Sequence, residues 1–84
     1  MGHQFLLYSR PGCSLCEEML LALAAHPAAR DLPVEVRNID LDESDRVRYG
    51  HKIPVLLLDG ELVCHGRLDL EELLKSLASR GCPV

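Results

Sequence analysis

Cys13-Ser14-Leu15-Cys16 places two thiols three residues apart, between a short apolar run, Phe5-Leu6-Leu7-Tyr8, and a long apolar-periodic segment that begins near Cys16. Two cysteines at that spacing on a strand-to-helix turn can exchange a disulfide with a partner, one thiolate attacking and the other resolving. The same pair can supply half of a metal site. Cys13 would stand at the mouth of the helix, where unpaired backbone N–H groups favour a thiolate, and Arg10 nearby adds positive potential. Cys16 lies one turn further in, on the apolar face. Cys13 is therefore the nucleophile candidate and Cys16 the resolving thiol, with Leu15 as an apolar contact for a partner. The plainer alternative is that both are small hydrophobes packed at a helix start. Spacing, turn and helix position together favour the redox chemistry.

Other groups could join this pair. Cys64-His65 carries a third thiol and an imidazole, and with Cys13 and Cys16 these have the chemistry of a zinc or copper(I) site. Against that, alternation along residues 61–64 lets Cys64 face the core together with Leu62. Cys82 follows the last helix and is expected to be exposed. Pro54 opens an apolar strand directly after a turn, where it cannot donate to a ladder. The acidic stretch from Asp40 to Asp45 is best explained by helix capping and solvation. No glycine-rich phosphate loop or dinucleotide motif is present.

The elements that must position these groups are well punctuated. Residues 5–8 read as a buried strand, followed by a Pro11-Gly12 turn. A helix runs from Ser14 to about Ala25, with Cys16, Met19, Leu20 and Leu23 on one face, and Pro27 ends it. Residues 34–39 alternate as a second strand whose charged face suits a sheet edge. Asp42 to Asp45 begins a short helix that stops near Gly50. Residues 55–58 and 61–64 form a hairpin across Asp59-Gly60. Asp69 caps the final helix, with Glu72 completing a capping box, Leu70, Leu73, Leu74 and Leu77 as its buried stripe, and Gly81 as its stop. The order β-α-β-α-β-β-α gives an α/β fold with one four-stranded mixed sheet, its first two strands parallel and its last two a hairpin.

Tyr8-Ser9-Arg10-Pro11-Gly12-Cys13-Ser14-Leu15-Cys16 resembles the active-site opening of glutaredoxin-like proteins of the thioredoxin superfamily, in their small divergent subgroup. Tyr49-Gly50-His51-Lys52-Ile53-Pro54-Val55 is similar to the approach to their cis-proline, and the element order matches over nearly the whole chain. The resemblance implies a thioredoxin-like fold of the glutaredoxin type. It makes Cys13 the attacking cysteine, Cys16 the resolving one, and Pro54 a cis-proline that with Ile53 shapes the substrate groove. It also implies that Lys52, Ile53, Gly66 and Asp69 are the residues that would hold glutathione, Gly66 and Asp69 belonging to a glycine-glycine-x-x-aspartate turn. The same resemblance brings the Cys64-His65 turn toward the CxxC end of the sheet. Four positions depart from the pattern. Ser14-Leu15 stands where dithiol glutaredoxins usually carry Pro-Tyr, Lys52 replaces a threonine, and His65 replaces the first glycine of the turn.

Size and charge narrow the classes. The chain has 84 residues, enough for one domain over 1–84, and 48% of them are hydrophobic, which argues against a disordered tail. The formal charge is −4 with no run of Lys or Arg, so nucleic-acid binding is not expected. No segment is long and apolar enough to suggest a membrane span. Arg10 and the CxxC interrupt the only early apolar run, so no export signal is expected and a cytoplasmic location is. The reading is a monomeric thiol–disulfide oxidoreductase acting on protein or glutathione mixed disulfides. A thiol or protein reductant, glutathione among them, would reset it, with no tightly bound cofactor. The rival readings are a zinc or copper carrier using the CxxC with Cys64 or His65, and a redox-inert interaction scaffold.

Overall fold

Strand β1 (Phe5–Ser9) is the axis of the molecule, and every other strand is placed relative to it. The structure is a computed structural model that describes residues 2–83. Its four strands lie in the order β2-β1-β3-β4, where β2 is Val34–Asn38, β3 is Val55–Leu58 and β4 is Glu61–His65. β1 runs parallel to β2 and antiparallel to β3, while β3 and β4 form the hairpin. Asp59 and Gly60 both take positive φ, 51° and 87°, the backbone that a two-residue primed turn demands. This is the α/β mixed sheet expected from the sequence.

Because strand side chains alternate, β1 sends Phe5 and Leu7 to one face and Leu6 and Tyr8 to the other. On the first face Phe5, Leu7, Leu56 and Leu58 meet Met19 and Leu23 of α1 (Ser14–Ala25) and Leu73 and Leu77 of α3 (Leu70–Ser79). Most of these side chains are fully buried, each worth about 1.5–3 kcal/mol. The second face is thinner. Tyr8, Ile39 and Val55 form its core under Tyr49, the last residue of α2 (Glu43–Tyr49), and the Tyr8 and Tyr49 rings stack 4.1 Å apart.

The caps explain the boundaries. Asp42 and Asp69 accept the N–H groups of Asp45 and Glu72, starting α2 and α3. Asn38 accepts the N–H of Asp40, so β2 stops there, and Ile39, expected at the end of the strand, turns into a short 3₁₀ segment, Ile39–Leu41. At the end of α3, Gly81 takes φ 76°. The N–H groups of Gly81 and Cys82 bond the carbonyls of Ala78 and Leu77. That double closure folds Cys82 back onto the core, half-buried, where exposure was expected. Two further expectations are corrected. Leu70 is 51% exposed because it opens the first turn of α3, outside the buried stripe. A bulge in β4 turns both Val63 and Cys64 toward the core and leaves Leu62, expected inside with Cys64, 61% exposed. Among the described residues, no helix is long and apolar enough to cross a membrane.

Candidate active site

The loop after β1 is built by a tight turn. The N–H of Cys13 donates to the carbonyl of Arg10 at 3.3 Å, with Pro11 and Gly12 as the central residues and Gly12 at φ 78°. Proline followed by a residue of positive φ is the pattern of a type II turn, and glycine takes it without strain. The turn delivers Cys13 as the N-cap of α1. Its carbonyl takes the N–H of Glu17 at 3.1 Å, and its Sγ accepts the N–H of Cys16 at 3.2 Å. Cys13 therefore sits where a serine or aspartate would cap, with a sulfur in the acceptor's place. When reduced, that sulfur faces the positive end of a helix and a ready donor, both of which favour the thiolate.

Cys13 and Cys16 are joined in a disulfide, with Cα atoms 5.2 Å apart. Their exposures differ in the direction that exchange chemistry needs. Cys13 is half-exposed, whereas Cys16 is 2% exposed within the apolar face of α1. A groove of about 280 Å³ reaches both, bounded by Arg10 to Cys13, by Glu17 and Leu20 of α1, and by Val36 and Asn38 of β2.

Arg10 does not stand free beside the sulfur, as its sequence position suggested. Its guanidinium grips Asp40 twice, Nη2 to Oδ1 at 2.9 Å and Nε to Oδ2 at 3.3 Å. The bidentate pair shares the charge and ties the active loop to the end of β2. Nothing local in the sequence marks Asp40 as a partner. The signal is the parallel register, since Ser9 pairs with Asn38 and so brings Arg10 and Asp40 to the same sheet end.

The peptide bond between Ile53 and Pro54 is cis, and Pro54 is buried. The carbonyl of Pro54 accepts the N–H of Gly66 at 2.8 Å, which straps the β4–α3 turn to the start of β3. The N–H of Ile53 is already bonded to the carbonyl of Tyr49 at 3.1 Å. Gly66 takes φ 78°, Lys52 is exposed, and Asp69 serves as the α3 cap. Leu15 is 37% exposed and lines a second groove of about 260 Å³ with Glu18, Met19, Ala22 and residues 66–68.

Cys64 belongs to a different environment. Burial pushes its thiol above the ordinary value, only partly offset by the nearby Asp69 N–H. His65 beside it is exposed. Among the described residues, no group of three or more His, Cys, Asp or Glu side chains is placed to hold a metal ion. The carrier arrangement of the CxxC with Cys64 and His65 is therefore not assembled.

The sequence matches the glutaredoxin-like domain family (DUF836) over residues 4–78. The chain belongs to that family. Among solved structures, this glutaredoxin-like chain is similar to protein Ne2328 from Nitrosomonas europaea, with 31% identity and a TM-score of 0.80 over 90% of this chain and 92% of that one. It is also similar to target protein XcR50 from X. campestris, with 28% identity and a TM-score of 0.67 over 89% of this chain and 96% of that one. The Staphylococcus aureus protein SA0789, of unknown function, shares the fold at 12% identity and a TM-score of 0.54, over 94% of this chain and 91% of that one. No curated protein matches the chain. Family and fold together support a redox-type function for the disulfide at the start of α1.

Proposed function

We propose that this glutaredoxin-like protein is a thiol–disulfide oxidoreductase that works through Cys13 and Cys16. In the reduced form the Cys13 thiolate attacks a substrate disulfide, forms a mixed disulfide with one half and expels the other as a thiolate. Cys16 then gives up its proton and attacks Cys13 Sγ. The Cys13–Cys16 bond forms, the second substrate sulfur leaves as a thiolate that takes a proton, and two electrons have passed to the substrate. A dithiol protein or two molecules of a monothiol such as glutathione restores the starting state. Working as a reductant suits a reducing compartment such as the cytoplasm.

The observation that carries this reading is the pairing of a half-exposed Cys13, capped by the Cys16 N–H, with a buried Cys16. The first sulfur is open to attack and its anion is stabilised. The second is screened from solvent yet next to the first. Trapping tests it. Cys16→Ser should accumulate a mixed disulfide on Cys13, seen by intact mass, while Cys13→Ser should form none and reduce nothing. Equal activity of Cys13→Ser and the wild-type protein would sink the mechanism.

A further inference from the structure

The groove beside the disulfide has a composition that selects among substrates. We propose that it receives a polypeptide segment bearing an apolar residue next to the target cysteine and a basic residue close by, in preference to glutathione. The inference rests on dithiol exchange at Cys13. Cys13 and Cys16 both line this space of about 280 Å³, Cys13 as the more exposed of the two, and Leu20 and Val36 supply apolar surface beside them. Val36 is 51% exposed on β2, an edge strand bonded on one side only, to β1. An open strand edge with an apolar side chain beside a shallow groove suits an extended peptide, which can pair along the edge and place one side chain inside. The volume lies just below the roughly 300–1,000 Å³ of small-molecule sites and has room for a side chain or two.

Charge separates the candidate occupants. The one cation on the rim, Arg10, is held by Asp40. Glu17 lines the groove and makes no ion pair among the described residues. With the Arg10 charge neutralised by Asp40 behind it, Glu17 is the unpaired charge of the lining. Glutathione, with two carboxylates and one ammonium, is itself an anion and is repelled, whereas a basic residue flanking a protein cysteine is attracted to Glu17. Of the groups that resemblance would assign to glutathione, the exposed Lys52 is open and makes no ion pair among the described residues, while three polar groups are engaged. Gly66 N–H bonds Pro54, Ile53 N–H bonds Tyr49, and one Asp69 oxygen caps α3.

The test uses the reduced full-length protein and mixed disulfides with one chromogenic thiol, made from four probes: peptides containing Arg-Leu-Cys, Glu-Leu-Cys or Arg-Gly-Cys, and glutathione. Each rate is divided by the rate with a free dithiol to remove intrinsic reactivity. The Arg-Leu-Cys probe should be reduced about tenfold faster than the Glu-Leu-Cys and glutathione probes, with the advantage falling at high salt. Glu17→Gln should shrink the Arg-over-Glu ratio at least about threefold. Val36→Thr, which keeps the branched shape, should lower the Leu-over-Gly ratio. Rates for Arg-Leu-Cys, Glu-Leu-Cys and glutathione within twofold of one another, or an Arg-over-Glu ratio that ignores Glu17→Gln, overturn the proposal while leaving dithiol exchange intact. No Cys13-dependent reduction of any probe brings down the exchange reading and this proposal with it.

Discussion

Asp69 can be asked which role it plays, helix cap or charge for a ligand. Its Oδ1 accepts the Glu72 N–H at 3.1 Å and starts α3, the helix that carries Leu73 and Leu77 into the core. Asp69→Ala removes that acceptor, a loss worth about 1 kcal/mol within a range of roughly 0.5–2. For a domain of this size 1 kcal/mol corresponds to a shift of about 4–8 °C in Tm. Asp69→Asn keeps an equally good cap and gives up only the attraction between the carboxylate and the helix N-terminus, about 0.3–1 kcal/mol at an exposed site. Thermal and urea unfolding of the disulfide form should therefore rank wild type, then Asn, then Ala, with the Asn variant losing no more than half of what Ala loses. An Ala variant as stable as wild type, or an Asn variant as damaged as Ala, would refute the capping argument. If the carboxylate charge instead recruits glutathione, Asn loses glutathione-dependent turnover while staying folded, and the two assays separate the roles.

Three other outcomes follow from the geometry. Gly66→Ala meets no steric neighbour, yet it forces φ 78° on a residue with a Cβ, so urea titration should show a loss of about 1–2 kcal/mol. The Asp59 carboxyl is held below its ordinary value by the His3 imidazole first, then by the Gln4 N–H and the Arg80 charge. A depressed carboxyl adds stability that is present above about pH 3.9 and is lost as pH falls through its folded value. The stability gap between wild type and Asp59→Asn should hold near pH 5 and close below about pH 4, and a gap unchanged down to the acid transition would contradict it. Burial raises the Cys64 thiol, so its alkylation at pH 8, followed by mass mapping with the Cys13–Cys16 disulfide intact, should run at least about tenfold slower in the native than in the unfolded protein. Because this folded-state value is raised, the corresponding stability is complete below about pH 8.5 and declines as pH climbs past it. Equal alkylation rates in the two states would contradict the buried placement.

What could be read in advance was local chemistry with a fixed backbone meaning. Asp59-Gly60 announces a hairpin, Pro11-Gly12 a turn, Asp42 and Asp69 helix starts, and the CxxC spacing a redox pair. Each depends on a few neighbouring residues. The features that escaped depend on register and on packing over long separations. The Arg10–Asp40 pair spans thirty positions and exists only because β1 and β2 are parallel and in step. The exposure of Leu62 depends on a one-residue bulge that the sequence does not flag, since simple alternation puts Leu62 in the core together with Cys64. Cys82 is half-buried rather than exposed because the closing turn at Gly81 returns the chain to the core. In the candidate site itself the two sulfurs stand out by type and spacing and Pro54 only through the family resemblance, whereas Leu20, Val36 and Asp40 join the site only with the sheet assembled.

The Asp59 carboxylate binds His3, bonds the Gln4 N–H at 2.9 Å and lies 3.7 Å from Arg80 Nε, so the beginning of β1 and the end of α3 meet at one side chain. The reactive loop leaves the other end of β1, five residues and roughly 17 Å away. The molecule thus has a handle and a tip. Tethered to a solid support or a neighbouring polypeptide near the beginning of β1 or the end of α3, it would hold Cys13 outward, an orientation suited to an electrode-bound or fused redox probe.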